Sequence, residues 1–177
     1  MSKIKKTSDW QVRRVELKDI DKLQAIYDQA RRFQLATGNL NQWIDGYPGR
    51  EVILNDYRSA HSYIVEDRLD HEILAVMALL AGEDPAYKNI QGQWLNDEEY
   101  VTIHRLASLP SAKGSGQALL DWTLEHYSNI RIDTHEENQP MKHILAKLGF
   151  QFCGIIFLEN GDPRDAYQYY RKKENPC

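Results

Sequence analysis

With 177 residues, 42% hydrophobic and 27% charged, the chain has the make-up of one soluble globular domain that buries about 70% of its unfolded surface. A formal net charge of −4 argues against a nucleic-acid binder, which shows a basic face, and suits a cationic or amine-bearing substrate better. No apolar run approaches the ~20 residues that cross a bilayer, and the basic start at Lys3, Lys5 and Lys6 leads into no leader-length apolar stretch, so no membrane partner is expected.

Residues 1–8 are expected to be a flexible N-terminus, and 10–16 alternate as a first strand. From Asp19 to about Ala36, residues Ile20, Leu23, Ile26, Tyr27 and Ala30 follow helical spacing, and Gly38 can stop the helix. An aromatic loop over 38–49, with Trp43 and Tyr47, precedes a second helix predicted from Arg50 to about Ala60. Residues 62–66 and 72–80 read as paired strands, the apolar run Ile73 to Leu80 being buried on both faces. A polar segment, 82–96, then leads to a fourth strand over 99–107. A helix over 118–127, a strand over 130–133, a helix over 138–148 and a strand over 150–158 follow. The turn Asn160-Gly-Asp-Pro163 precedes a last strand, 166–171, whose tyrosines make it the expected face of a homodimer. Cys153 lies in a strand and Cys177 is the last residue, which gives no disulfide framework and a reducing cytoplasm as the expected compartment. The order describes a single α/β domain over 1–177, a mixed, mostly antiparallel sheet flanked by helices.

The stretch Leu106-Ala-Ser-Leu-Pro-Ser-Ala-Lys-Gly-Ser-Gly-Gln117 joins the fourth strand to a helix. Gly114 and Gly116 let the backbone approach a ligand, and the helix start offers free N–H groups and a positive dipole end, so the segment forms an anion cradle. Further on stand Asp133-Thr-His-Glu-Glu-Asn138 and Pro140-Met-Lys-His-Ile-Leu-Ala-Lys-Leu-Gly-Phe150. Together these three segments resemble the GNAT family of N-acetyltransferases over nearly the whole chain, in the wording of a bacterial subgroup. The resemblance implies a GNAT-like acyl-CoA N-acyltransferase fold that binds acetyl-CoA along a splayed fourth strand and the glycine loop. Backbone N–H groups near Leu106 and Ser108 are then expected at the thioester and pantetheine. Those of Gly114, Ser115, Gly116 and Gln117 are expected at the pyrophosphate, with Lys113 nearby. The loop fits the family pattern in two registers, one on Lys113, Gly116 and Ala118 and one on Ser111, Gly114 and Gly116. Asn138 is a good helix N-cap, and the resemblance adds a hydrogen bond from it to the pantetheine or phosphate arm.

Acetyl transfer needs a neutral amine, although a free alkylamine has a pKa of about 10, and it needs a stabilised thioester oxygen and a proton for the departing thiolate. His104 is the leading base by residue type. Strand alternation places it with Thr102 and Leu106, opposite Ile103 and Arg105. His135 and Glu99 are further candidates, Glu99 acting through water. The family's usual acid, a Tyr seven residues after the Asn, is Leu145 here, which leaves Tyr127, His135, Cys153 or water. No spacing of His and Cys suits a metal. Trp43, Tyr47 and Tyr87, with Trp94, are expected to wall the amine acceptor by stacking or cation–π contact. The rival to an acetyltransferase is a non-catalytic acyl-CoA-binding module that keeps the fold.

Overall fold

The apolar spacing along Ile20–Ala36 gives helix α1, which turns Ile20, Leu23, Ile26, Tyr27 and Ala30 into the core. Before it lies β1 (Trp10–Arg14), and after it α2 (Arg50–Arg58), β2 (Ser62–Asp67), β3 (Ile73–Ala81), β4 (Ile90–Gly92) and β5 (Val101–Ser108). Helix α3 (Ser115–His126), β6 (Asn129–Thr134), α4 (Gln139–Lys147), β7 (Gln151–Phe157) and β8 (Pro163–Tyr170) complete the computed structural model, which describes residues 7–174. Lys3, Lys5, Lys6 and Cys177 lie outside these residues; Thr7–Asp9 form a short 3-10 turn. Among the described residues no helix is long and apolar enough to cross a membrane.

Eight strands of the described residues form one sheet in the order β1-β2-β3-β5-β6-β8-β7-β4. Every pairing is antiparallel except β5 with β6. As expected, Ile73 to Leu79 of β3 are buried throughout, under α1 and α3. Leu119 and Leu120 of α3 and Leu145 of α4 are fully buried in the same core.

Three features depart from the expected arrangement. Strand β4 was not foreseen, because Ile-Gln-Gly has no useful alternation and glycine is a poor strand former. It exists through a close approach to β7: a Cβ on Gly92 would stand 2.1 Å from the Cys153 carbonyl oxygen, and one on Gly154 would stand 2.1 Å from that of Gln91. Second, β8 lies inside the sheet, between β6 and β7, with Ala166, Tyr167 and Gln168 buried. Its edges are both taken within the sheet, and of the tyrosines that suggested a dimer face only Tyr170 is exposed. Third, β5 carries a bulge. His104 faces Ala78 and Ala107 faces Val76, so Arg105 and Leu106 together oppose Met77, and Arg105 takes a left-handed φ of +52°. Strict alternation stops at His104, so the expected sharing of a face with Leu106 does not follow.

Candidate active site

Strands β5 and β6 pair only over Val101–Ile103 and Ile130–Ile132. Beyond Ile103 the β5 edge that faced β6 has no strand partner, which is the splay the family resemblance called for. A cleft of about 430 Å³ opens there, walled by loop 42–47, His104, Arg105 and Leu106 of β5, Asp133 of β6, Asn138 and the β7–β8 turn.

His104 is the first β5 residue past the paired segment. Its Nε2 lies 2.6 Å from Oδ2 of Asp84, and its Nδ1 lies 3.9 Å from Oδ2 of Asp133. Asp84 caps the short 3-10 turn Pro85–Tyr87 by accepting from the Ala86 N–H (2.9 Å), and its own N–H donates to the Tyr100 hydroxyl (2.9 Å). Burial works against the charge of Asp84, but the hydrogen bond and charge of His104 outweigh it and hold the carboxyl below its ordinary value. An ionised carboxylate only accepts, so Nε2 donates to it, and in the neutral form of the ring the lone pair is on Nδ1. The Tyr87 hydroxyl donates to Oδ2 of Asp133 at 2.6 Å. Burial, reinforced by Asp133, pushes the Tyr87 hydroxyl well above its ordinary value, so it stays a donor. The result is an imidazole held between two carboxylates, one of them fixed by a buried tyrosine.

The other wall is ordered by Arg105 and Gln42. Burial disfavours the Arg105 charge, but two 2.7 Å bonds to Asp56 of α2 prevail and raise its pKa. The same guanidinium donates to the Tyr47 hydroxyl (3.1 Å), placing that ring on the cleft. Trp43 also lines the cleft, with its ring edge-on to Tyr27 at 5.6 Å. Oε1 of Gln42 accepts from Asn138 Nδ2 (2.8 Å), Asn39 Nδ2 (2.9 Å) and Thr134 Oγ1 (3.3 Å).

On the cofactor side, Gly114 is the N-cap of α3 with φ +91°, a conformation that costs a residue with a Cβ dearly. Gly116 and Gln117 lie in the first turn, where N–H groups have no intrahelical acceptor. Ser115 does not join them, because its N–H donates to the Ala112 carbonyl (3.0 Å) and its fully buried hydroxyl donates to that of Leu74 (3.1 Å). This corrects its expected role: Ser115 anchors the loop to β3. Lys113 is exposed. A Cβ on Gly116 would stand 3.4 Å from Oγ of Ser108, so loop and strand pack closely. Asn138 caps α4 by accepting from Met141 N–H (3.3 Å). Its amide donates one hydrogen to Gln42, and the second has no acceptor among the described residues.

Three expected site residues lie elsewhere. His135 is buried, and its Nδ1 accepts from the Glu137 N–H (3.1 Å), which anchors the loop before Asn138. Glu99 is exposed at the opposite end of β5, on a separate cavity of about 890 Å³ that Tyr127 also lines. Tyr87 is only 2% exposed, so it braces Asp133 instead of walling an acceptor. Trp94 is likewise committed, its Nε1 donating to the Tyr87 carbonyl (2.9 Å) and its ring lying 4.2 Å from the Arg131 guanidinium. The Cys153 thiol, pushed up by burial, donates to the Gln151 carbonyl and is not a nucleophile here. Asp84, Tyr47's partner Arg105, Gln42 and Arg164 were not legible as site residues; only Asp84 left a signal, as an Asp-Pro turn start.

No family model matches the chain, and no curated protein matches it. Among solved structures it is similar to a GNAT-family acetyltransferase from Streptococcus agalactiae 2603, with 34% identity and a TM-score of 0.83 over 93% of this chain and 96% of that one. It also shares its fold with the ribosomal-protein-S18-alanine N-acetyltransferase from Escherichia coli (12% identity, TM-score 0.61, covering 95% and 99%). The NatC complex bound to Gag peptide and CoA is similar in the same way (13%, TM-score 0.61, 93% and 99%). The splayed β5–β6 pair, the glycine-entered α3 and the 34% identity over nearly the full length lead to one conclusion: the chain belongs to the GNAT family of acetyltransferases.

Proposed function

We propose that the protein moves an acetyl group from acetyl-CoA to a primary amine of a small molecule or peptide, by direct transfer in a ternary complex. The observation that carries this reading is the His104–Asp84 pair at the mouth of the splay, with Nδ1 making no hydrogen bond among the described residues. The site's residues fit the CoA moiety: free N–H groups of Gly116 and Gln117 at the start of a twelve-residue helix suit a pyrophosphate, and the unpaired β5 edge suits pantetheine.

In this mechanism the acceptor ammonium first gives one proton to solvent; the neutral amine attacks the thioester carbonyl, and Nδ1 of His104 takes the second proton from the attacking nitrogen. The new imidazolium lies between Asp84 and Asp133, which favour its charge. Main-chain N–H groups of β5 beyond the bulge stabilise the oxyanion. The N–C bond forms, the C–S bond breaks, and the CoA thiolate takes a proton from water or from His104. Leu145 supplies none, being fully buried.

That same Leu145 favours the second reading, a non-catalytic acyl-CoA-binding module. Two measurements separate the readings. Saturating acetyl-CoA, at 100 times its Kd, should stabilise the protein by about 2.7 kcal/mol. Free thiol should then appear on adding amines. A thermal shift without thiol release over a broad amine panel selects the binding module, and no shift at all refutes both.

A further inference from the structure

Arg164 has no part in the reaction above, yet it lines the same cleft from β8 and is only 5% exposed. Its Nη1 donates to the Pro163 carbonyl (2.8 Å) and its Nη2 to the Gln42 carbonyl (3.3 Å), both neutral acceptors. The other well-buried arginines have partners of other kinds, although Arg131 also lacks a carboxylate and leaves its Nε unpaired. Arg105 is paired with Asp56, and Arg131 is stacked between Trp94 (4.2 Å) and Tyr100 (3.9 Å). No carboxylate among the described residues lies within 4.0 Å of Arg164. Asp133 and Asp162 act on it only from beyond contact, and burial pulls its pKa down. A guanidinium cannot discharge itself by losing its proton in a protein, so a buried one without a counter-ion is costly unless a ligand completes it.

The sheet register places this charge opposite the base. Asp133 faces Ala166, and Arg164 is two residues along β8, so the side chains of Asp133 and Arg164 emerge on one face. With β6 between β5 and β8, His104 and Arg164 stand on opposite sides of the splay, more than two regular strand spacings (about 10 Å) apart between main chains. Their side chains converge on one cleft that already contains Asp45, Asp133 and Asp162. Those acids disfavour a doubly charged phosphate. They accept an ammonium, while Arg164 offers a two-pronged partner to a carboxylate.

We infer that the acceptor is an amino acid: its amine sits at His104 and its carboxylate pairs with Arg164. This rests on the acetyltransferase reading of the cleft. The test follows thiol release from acetyl-CoA with matched pairs, such as lysine and cadaverine, or phenylalanine and phenethylamine. The wild-type protein should favour the amino acid in at least one pair by tenfold or more in kcat/KM, chiefly through KM. Losing a charge-assisted hydrogen bond in Arg164→Gln should cut that preference roughly ten- to a hundredfold, and Arg164→Lys should restore part of it. Equal or better turnover of the decarboxylated amines by the wild-type protein overturns the inference, whether or not the variants fold. So does an Arg164→Gln variant that slows both members of each pair equally, since that is a structural effect. Absence of thiol release with every amine, despite an acetyl-CoA thermal shift, instead removes the acetyltransferase reading beneath it.

Discussion

Replacing His104 by Gln removes the cleft imidazole proposed as the base while keeping a side chain able to donate to Asp84. General-base catalysis by a positioned side chain is worth about 10²–10⁴ in rate, so His104→Gln should lose that factor in kcat. Asp84→Asn should fall between this variant and the wild type. The 2.6 Å contact joins side chains that are 24% and 17% exposed, so it is partly shielded from water. Exchanging such a charge-assisted bond for a neutral one costs about 1–1.5 kcal/mol, or roughly tenfold. Further loss follows in molecules whose Asn turns its amide N–H₂ toward Nε2, since the ring hydrogen then moves to Nδ1 and the lone pair is gone. Steady-state thiol release gives kcat, and the acetyl-CoA thermal shift checks that folding and cofactor binding survive. A His104→Gln variant within threefold of the wild-type kcat, with its acetyl-CoA thermal shift intact, would refute the assignment.

Gly114→Ala should lose about 1–2 kcal/mol of stability, because the site is sterically open but the left-handed backbone at φ +91° disfavours any Cβ. Urea melts measure it, and the KM for acetyl-CoA should rise as the α3 N-terminus shifts. A second test concerns Glu66, pulled down from 4.5 to about 2, first by hydrogen bonds from Arg13 and against the opposing effect of burial. A depressed carboxyl stabilises above its unfolded value and loses that contribution as the pH falls through its folded one. Wild-type stability should therefore decline between pH 4.5 and about 2. Glu66→Gln should start up to roughly 3 kcal/mol lower at neutral pH and change little from this source over that window, as acid melts would show.

Much of the fold was legible because burial follows short-range periodicity. The five α1 positions chosen by spacing are all buried, and so is the apolar run of β3 as far as Leu79, with Leu80 half-buried. What depends on two distant segments meeting was not. Strand β4 owes its existence to Gly92 and Gly154 passing each other, and the β5 bulge appears only when β3 is laid alongside. In the site, His104 was found by residue type alone, since a near-neutral base on a strand is unusual. Its partners Asp84 and Asp133 lie 20 and 29 positions away and carry no periodic signal. Tyr87 was misplaced for the converse reason: an aromatic in a polar loop looks like an exposed wall until the fold buries it. Ser115 shows the limit of backbone inference, because a helix-start N–H counts as free only until the preceding turn is known to reach back to it.

Asn138 combines a legible role with an illegible one. Its position before Gln139-Pro140 announces a cap, and its Oδ1 does accept from the Met141 N–H. Its Nδ2 reaches 96 residues back to Gln42, whose Oε1 also holds Asn39 and Thr134. Glu137 adds a second tie, accepting from the Leu40 N–H (3.2 Å) and from Asn41 Nδ2 (3.3 Å). The loop proposed to wall the acceptor is thus fastened to the start of α4, next to the expected pantetheine path. Gln42 also bonds Arg164 through its carbonyl, so a single loop residue touches the groups assigned to the cosubstrate arm and to the acceptor carboxylate. A substrate that displaced this loop would have to break both sets of bonds. The cleft is therefore held open by the protein's own hydrogen bonds before either substrate arrives, and the orientation of His104 is set in advance by Asp84 in the same way.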